Sequence, residues 1–142
     1  MTMTTDDLAA FVAGLNEVVQ REEQRLNAAD ARLGDGDTGS MLRRVLSAMS
    51  KVDVKGAPGL SEAAMMLAQA AMKETGSSLG TLVATAAMAF AKEAKAAGNN
   101  LGAADMGRIV GAMRDAVASR GHAAVGDKTV IDSLDAITKA LN

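Results

Sequence analysis

The chain has 142 residues, enough for one domain with its own hydrophobic core and too few for two domains of ordinary size. Its 15 basic and 17 acidic residues are interspersed, which leaves no basic face for nucleic acid and no polybasic anchor for lipid. The absence of cysteine excludes disulfides, thiolate catalysis and zinc–thiolate sites. We therefore expect a single domain over residues 1–142 that binds neither nucleic acid nor a membrane.

Helical periodicity defines the first three elements. Helix one, about residues 5–28, follows a Thr/Asp cluster at residues 4–7 that is typical of a helix start. Its apolar residues recur at steps of three and four and are predicted to face inward: Leu8, Phe11, Val12, Leu15, Val18, Val19 and Leu26. Helix two ends near Val52, before a Gly- and Pro-containing breaker at residues 56–59. Ser61 is predicted to cap helix three, which runs to Thr75.

The second half of the chain repeats this pattern. The fourth helix, about residues 79–97, stops at Gly98, and the fifth stops at Gly121. Residues 127–129 open a sixth helix, whose inward residues are predicted to be Ile131, Leu134, Ile137 and Leu141. No stretch alternates with period two beside a turn signal, so no strand is expected. The predicted fold is all-α, an antiparallel bundle or barrel of about six amphipathic helices with a core of aliphatic residues and methionines.

Three aspartates, Asp30, Asp35 and Asp37, stand between helix one and helix two. Carboxylates packed so closely repel one another unless cations neutralise them. Mg²⁺ prefers oxygen ligands and usually keeps coordination positions open for water and for substrate phosphates. The segment therefore predicts a metal and phosphate site.

This segment also allows three other interpretations. Residues 34–39 fit the spacing G-x-G-x-x-G, but the dinucleotide motif requires a preceding strand, and here a long helix precedes. An EF-hand loop needs a Glu at its twelfth position, which is Leu46 when counted from Asp35. The remaining alternative is a solvated, glycine-rich turn in which the aspartates only cap helices.

Clusters of glycine and polar residues fall at three helix junctions: 34–40, 76–78 and 126–129. In an up-and-down bundle these junctions share one end, where a site could be assembled from all three. Ser77 and Ser78 would lie at the start of helix four, where free N–H groups and the helix dipole favour phosphate. The alternative is that both serines are simply helix caps.

These residues resemble the nucleotide-binding L subunit, or L domain, of dihydroxyacetone kinases. The family's metal motif D-x4-D-x-D-[HT]-G is matched by residues 30–39, and its Gly-[Ala/Thr]-Ser turn near the phosphates is similar to residues 76–78. Its segment S-R-G followed by G-D-K-T-M-x-D is matched within residues 119–132. The three motifs occur in the family's order across essentially the whole chain.

The resemblance implies an all-helical barrel that binds ADP or ATP at one end through two Mg²⁺ ions held by Asp30, Asp35 and Asp37. It places the nucleotide and phosphate contacts at Thr38, Gly39, Ser40, Gly76, Ser77, Ser78, Gly121 and Val130. It also implies two partners. A K-type subunit would hold dihydroxyacetone covalently, and this bound substrate would receive the phosphoryl group. In some members of the family, a phosphohistidine protein of a phosphotransferase system would rephosphorylate the bound ADP.

The chain departs from the family at several positions. Thr38 stands where kinase L subunits usually have His, although related fatty-acid-kinase domains also carry D-G-D-T-G. Met41, Leu79 and Val130 replace the family's Asn, Gly and Met. Family subunits continue for two more helices with an arginine segment near the phosphates, which has no match within residues 1–142. We expect catalysis to depend on a partner.

Two other functions remain open at this point. A non-catalytic module could bind nucleotide and Mg²⁺ and report the ADP or ATP state to a partner. A purely structural helical domain would leave its aspartates solvated. The first residues lack a basic stretch followed by an apolar one, which predicts a cytoplasmic protein. His122, the single histidine, is expected to be exposed after a helix end, and any catalytic histidine would come from a partner.

Overall fold

The computed structural model describes residues 1–74 and 78–142. Within these ranges the chain forms six α-helices: α1 (Thr5–Asp30), α2 (Thr38–Ser50), α3 (Leu60–Lys73), α4 (Ser78–Ala96), α5 (Met106–Gly121) and α6 (Val130–Leu141). A short 3₁₀ turn, Ala103–Asp105, precedes α5. The described residues contain no strand beyond an isolated bridge between Thr2 and Gly102. The all-α prediction is confirmed.

Several predicted helix ends are confirmed in detail. The Thr4 side chain accepts a hydrogen bond from the Asp7 amide, and the Asp7 carboxylate accepts one from the Thr4 amide, which forms a capping box at the start of α1. Thr129 caps α6 by accepting a bond from the Ile131 amide. His122 follows the end of α5 with a left-handed φ of 52° and is exposed.

The predicted cap of helix three is wrong. Gly59 occupies the N-cap position, and Ser61 lies buried inside the first turn. The Ser61 amide donates to Asn99 Oδ1 at 2.8 Å, so a side chain from the α4–α5 connection satisfies this helix end. A Cβ at residue 59 would collide with the Asn99 amide group, which explains why glycine precedes the helix.

Consecutive helices run antiparallel. Along α1 and α2, Asn27 bonds to Ser40, and Gln20, further back on α1, bonds to Arg43, further along α2. The same reversed order holds for α4 and α5, because Gly121 faces Leu82 while Arg108 pairs with Glu93. This order places the α1–α2 and α5–α6 connections at the same end of the molecule as the last residue of α3 and the first residue of α4.

Apolar side chains from all six helices contribute to the core. Its most deeply buried large side chains are Leu60, Leu101, Ile109, Ile131, Val45 and Val54. The helices form an open array, because α1 packs on α2 and α3, α6 packs on α5, and no contact joins α1 to α6 in the described part of the chain. None of the helices in residues 1–74 and 78–142 is long and apolar enough to cross a bilayer.

The open array overturns part of the predicted core. On α1, Phe11, Leu15 and Val18 are 60%, 39% and 43% exposed, and on α6, Ile137 and Leu141 are 47% and 50% exposed. Several methionines expected in the core also face outward: Met65, Met66, Met72 and Met88. The apolar surface of α1 and of α6 is wider than the area that neighbouring helices cover, because each of these helices has a packing partner on one side only.

A buried carboxylate links α5 to α6. Asp135, 8% exposed, bonds to Arg114 Nη1 at 2.8 Å and to Lys139 Nζ at 2.7 Å. The hydrogen bond from Lys139 lowers the pKa of Asp135, and Arg114 adds to this effect against the opposing influence of desolvation. The two helices approach closely here, since a Cβ at Gly111 would lie 3.3 Å from the Thr138 methyl group.

The ion pairs that Asp135 makes predict how the stability of the fold depends on pH. The folded pKa of Asp135 is lowered, so its ionised form stabilises the fold above the unfolded value of about 4, and this contribution is lost as the pH falls through the folded value. Asp135→Asn should lower the melting temperature at pH 7 and reduce the further loss at acid pH. Asp115→Asn, which removes an exposed carboxylate from the same arginine, should change little. Identical melting profiles for wild type and Asp135→Asn between pH 7 and pH 3 would contradict this assignment.

Candidate metal and nucleotide site

The three predicted metal ligands come together. Asp30, Asp35 and Asp37 each offer one carboxylate oxygen, and these oxygens all lie within 4.8 Å of one another. Asp30 is partly buried, whereas Asp35 and Asp37 are exposed. Octahedral Mg²⁺ with oxygen ligands at about 2.1 Å needs ligand oxygens up to about 4.2 Å apart, so small side-chain movements would suffice.

Asp30 organises the loop that carries the other two aspartates. It ends α1, and its Oδ2 accepts hydrogen bonds from the amides of Asp37, the N-cap residue of α2, at 3.0 Å and of Thr38, the first residue of α2, at 3.2 Å. The hydrogen bond from the Thr38 side chain lowers the pKa of Asp30, with backbone amides adding to it while desolvation opposes. One carboxylate therefore caps α2 and stays ionised.

Two glycines make this loop possible. Gly36 has a φ of +77°, which a residue with a side chain adopts only with strain. At Gly34 the reason is space, because a Cβ there would lie 2.6 Å from Asp30 Oδ1. The amides of Asp37 and Thr38 both bond to Oδ2, and glycine at position 34 leaves the space beside the other oxygen, Oδ1, free of a side chain. A donor set of hard carboxylate oxygens fits Mg²⁺.

The first turn of α2 packs tightly on α1. A Cβ at Gly39 would collide with the Glu23 carbonyl, so only glycine permits this approach. Ser40 faces α1: its amide donates to Asn27 Oδ1 at 3.0 Å, and its Oγ bonds to Asn27 Nδ2 and to Glu23 Oε1. The amide of Thr38 is committed to Asp30. Any role of these three residues in phosphate binding therefore has to use groups that are not already bonded within the protein.

The remaining predicted contacts that the structure describes are Ser78, Gly121 and Val130. Ser78 is the exposed first residue of α4, and Gly76 and Ser77 lie outside the described residues. Gly121 ends α5, where a Cβ would touch Leu82 of α4 at 3.5 Å. Val130 begins α6 and is 44% exposed.

The loop between α5 and α6 is held by Asp132. Its Oδ1 accepts from the Gly126 amide at 2.7 Å and its Oδ2 from the Lys128 amide at 2.8 Å. Gly126 and Lys128 both have positive φ, so the carboxylate fixes a sharply turned segment. Sequence reasoning missed this role and the role of Asn27. The spacing of Asn27 and Asp30, one helical turn apart on α1, was the available signal.

Comparison with known proteins assigns the family. The model of the DAK2 domain matches residues 32–142, which include Asp35, Asp37 and the loop held by Asp132. The chain belongs to the DAK2 domain family. The predicted resemblance to L-type subunits is confirmed.

Two curated relatives extend the likeness over nearly the whole chain. A protein of Lactococcus lactis named PTS-dependent dihydroxyacetone kinase, ADP-binding subunit DhaL, is 29% identical over 92% of this chain and 65% of its own length. A protein of Listeria innocua named PEP-dependent dihydroxyacetone kinase 1, ADP-binding subunit DhaL, is 26% identical over the full chain and 71% of its own length. The chain thus spans about two thirds of the length of these relatives.

The hydrogen bonds indicate that Asp30 has a structural role that Asp35 and Asp37 do not share. Asp30→Ala should lower the melting temperature of the metal-free protein by about 3 °C or more, because it leaves the Asp37 and Thr38 amides without their acceptor. Asp35→Asn and Asp37→Asn remove like charges that bond to no described group, so they should leave that temperature unchanged or raised. Thermal unfolding in the presence of chelator measures both effects. A clear loss of stability in all three variants would make every aspartate a structural cap.

Proposed function

We propose that the chain is the nucleotide-binding component of a dihydroxyacetone-kinase-like phosphotransfer system, and that it binds ADP or ATP together with Mg²⁺. The observation that carries this proposal is the convergence of three carboxylate oxygens between α1 and α2 in a chain of the DAK2 domain family. The printed names of both relatives, which describe ADP-binding subunits, support the nucleotide.

The role proposed for this chain in phosphoryl transfer follows from the chemical groups that it contains. Asp30 Oδ1, Asp35 and Asp37 would hold two Mg²⁺ ions, and bound Mg²⁺ would supply charge neutralisation for the phosphates. Phosphoryl transfer needs chiefly positioning and electrostatic stabilisation, so a chain without a nucleophile at this site can serve it. Ser78 is the first residue of α4, and the N-terminus of this helix would face the phosphates. The other proposed nucleotide contacts are Thr38, Gly39, Ser40, Gly121 and Val130, and Gly76 and Ser77 outside the described residues.

The proposed partner is a K-type subunit that holds dihydroxyacetone or a similar small hydroxy-carbonyl compound. A phosphohistidine protein of a phosphotransferase system is the proposed donor when ADP stays bound. The proposal assigns the covalent steps to these partners; His122, the single histidine of the sequence, is exposed beyond the end of α5.

Nucleotide binding should require Mg²⁺. Without a cation, three carboxylates would repel the polyphosphate, so removal of Mg²⁺ by a chelator should weaken ADP binding at least about tenfold, or 1.4 kcal/mol. Gly34→Ala should mimic this loss in the presence of Mg²⁺, because its methyl group covers Asp30 Oδ1. Gly56→Ala, where a Cβ meets nothing within 4 Å, is the matched control. Equal ADP affinity with and without chelator, measured by calorimetry, would contradict a metal-bridged site.

Turnover should require the partner. The isolated chain, given ATP, Mg²⁺ and dihydroxyacetone, is expected to form no product, because the proposal assigns the covalent binding of the carbonyl compound to the K subunit. Addition of a K subunit should start product formation, and Asp35→Asn should abolish it. Robust turnover by the isolated chain would refute the division of labour. Tight Mg²⁺-dependent ADP binding without turnover in either condition would favour the nucleotide-sensing module instead.

A further inference from the structure

A groove of about 340 Å³ lies between α1, α2 and the end of α3. It lies on the solvent side of α2, because the buried residues of this helix point to its other side. Glu74, which follows the last residue of α3, contributes to the lining. The other described lining residues come from α1 and from α2 as far as its C-cap: Gln20, Arg43, Arg44, Ser47, Ala48 and Lys51. The groove is large enough for a small ligand.

The lining is positive in a chain that is negative overall. Arg43, Arg44 and Lys51 share the groove with a single carboxylate, that of Glu74, which gives the described lining a formal charge of +2. The whole chain has a formal net charge of -2. Because α2 contains no acidic residue, none of these cations has a carboxylate partner on its own helix. A surface of this sign attracts anions.

Arg43 is already bound to α1. Its Nε donates to Gln20 Oε1 at 3.1 Å and lies 3.5 Å from Glu23 Oε2. The carboxylate of Glu23 therefore balances its charge, and Arg43 serves chiefly as one wall of the groove.

Arg44 and Lys51 are not balanced in this way. Among the residues that the structure describes, neither side chain forms an ion pair. Arg44 Nη2 donates to the backbone carbonyl of Glu74 at 3.4 Å, which is a neutral acceptor, so the other N–H groups of the guanidinium stay available. The Ser47 hydroxyl also bonds to no group in the described part of the chain. Two cations and a hydroxyl are therefore free to bind a ligand.

The spacing along α2 brings these groups to one place. Residues 44, 47, 48 and 51 lie three and four apart on one side of the helix, over two turns and about 10 Å. Arg44 and Lys51 stand at the two ends of this row, and the short side chains of Ser47 and Ala48 form the floor between them. Both long, flexible cations can therefore reach a ligand that rests on this floor.

We propose that this groove binds the phosphate group of a small phosphorylated molecule. The Arg44 guanidinium and the Lys51 ammonium would pair with phosphate oxygens from the two ends, and the Ser47 hydroxyl would donate between them. The described lining contains no aromatic and no large aliphatic side chain, so a nucleobase or a lipid chain has no surface to pack on. The polar group of the ligand is therefore the part that the groove recognises.

This site is separate from the three aspartates. Ser47 lies ten residues beyond Asp37, which is about 15 Å along α2. The groove supplies its own cations and needs no metal, whereas the aspartates repel phosphate unless Mg²⁺ intervenes. Phosphate binding without Mg²⁺ therefore reports on the groove alone, and the site does not depend on the proposed phosphotransfer function.

An NMR titration of the chain tests the site. Isotope-labelled protein is kept free of metal with a chelator, and inorganic phosphate replaces chloride at constant ionic strength. The amide resonances of Ser47, Ala48 and Lys51 should shift and saturate with a dissociation constant on the order of 1 mM. The amide resonances of Asp35 and Asp37 should stay in place.

Substitutions test the groups assigned to the site. Lys51→Met and Arg44→Met should each weaken phosphate binding at least about fivefold, because each removes a charge-assisted bond. Glu74→Gln should strengthen binding about twofold, because it removes the single carboxylate of the described lining and keeps the carbonyl that Arg44 contacts. Lys95→Met, at an exposed position of α4 outside the groove, is the matched control and should bind phosphate like the wild type.

Two results would overturn the proposal. The first is the absence of a saturating shift at Ser47, Ala48 and Lys51 when phosphate replaces chloride. The second is unchanged phosphate affinity in both Lys51→Met and Arg44→Met, with dispersed spectra that show both variants to be folded. Neither result bears on the binding of ADP with Mg²⁺, so the groove and the proposed nucleotide site can fail separately.

Discussion

The carboxylate of Asp30 is the constraint on which the site depends. Oδ2 accepts the amides of Asp37 and Thr38 and so fixes where α2 begins relative to the end of α1. Glycine at position 34 leaves the space beside Oδ1 free of a side chain. A single residue thereby fixes the helix junction beside Asp35 and Asp37, and one oxygen of each aspartate lies within 4.8 Å of the others.

The close packing of α1 on α2 stabilises this junction. Gly39 brings the helix backbones together, and Asn27 and Glu23 bond to Ser40 one turn below the loop. The site is therefore carried by a tightly joined helix pair, and the loop itself needs only Gly36 to turn. On the opposite side of the same end, Asp132 fixes the α5–α6 loop in a comparable way. Carboxylates that bond to backbone amides thus shape two of the three junctions.

The sequence predicted the elements and the aspartate cluster well, because both depend on local signals. Periodicity and caps located six helices, and the spacing of Asp30, Asp35 and Asp37 was sufficient to place them around one point. Long-range partners could not be predicted in the same way. Asn99 caps α3 from 38 residues away, so Ser61, a good local cap, was the wrong choice. Phe11 and Ile137 belong to apolar stripes whose partners are not set by the stripe itself, and the array leaves both exposed.

We propose that Asp30 binds the amides at the start of α2 with Oδ2 and the metal with Oδ1 at the same time. A crystal structure of the chain with ADP and Mn²⁺, which replaces Mg²⁺ and gives an anomalous signal, tests it directly. We expect a metal peak within about 2.3 Å of Asp30 Oδ1 and of one oxygen each from Asp35 and Asp37, with Oδ2 still bonded to the Asp37 and Thr38 amides. A metal bound elsewhere, or one that binds Asp30 only after those amide bonds are broken, would show that Asp30 does not have both roles at once.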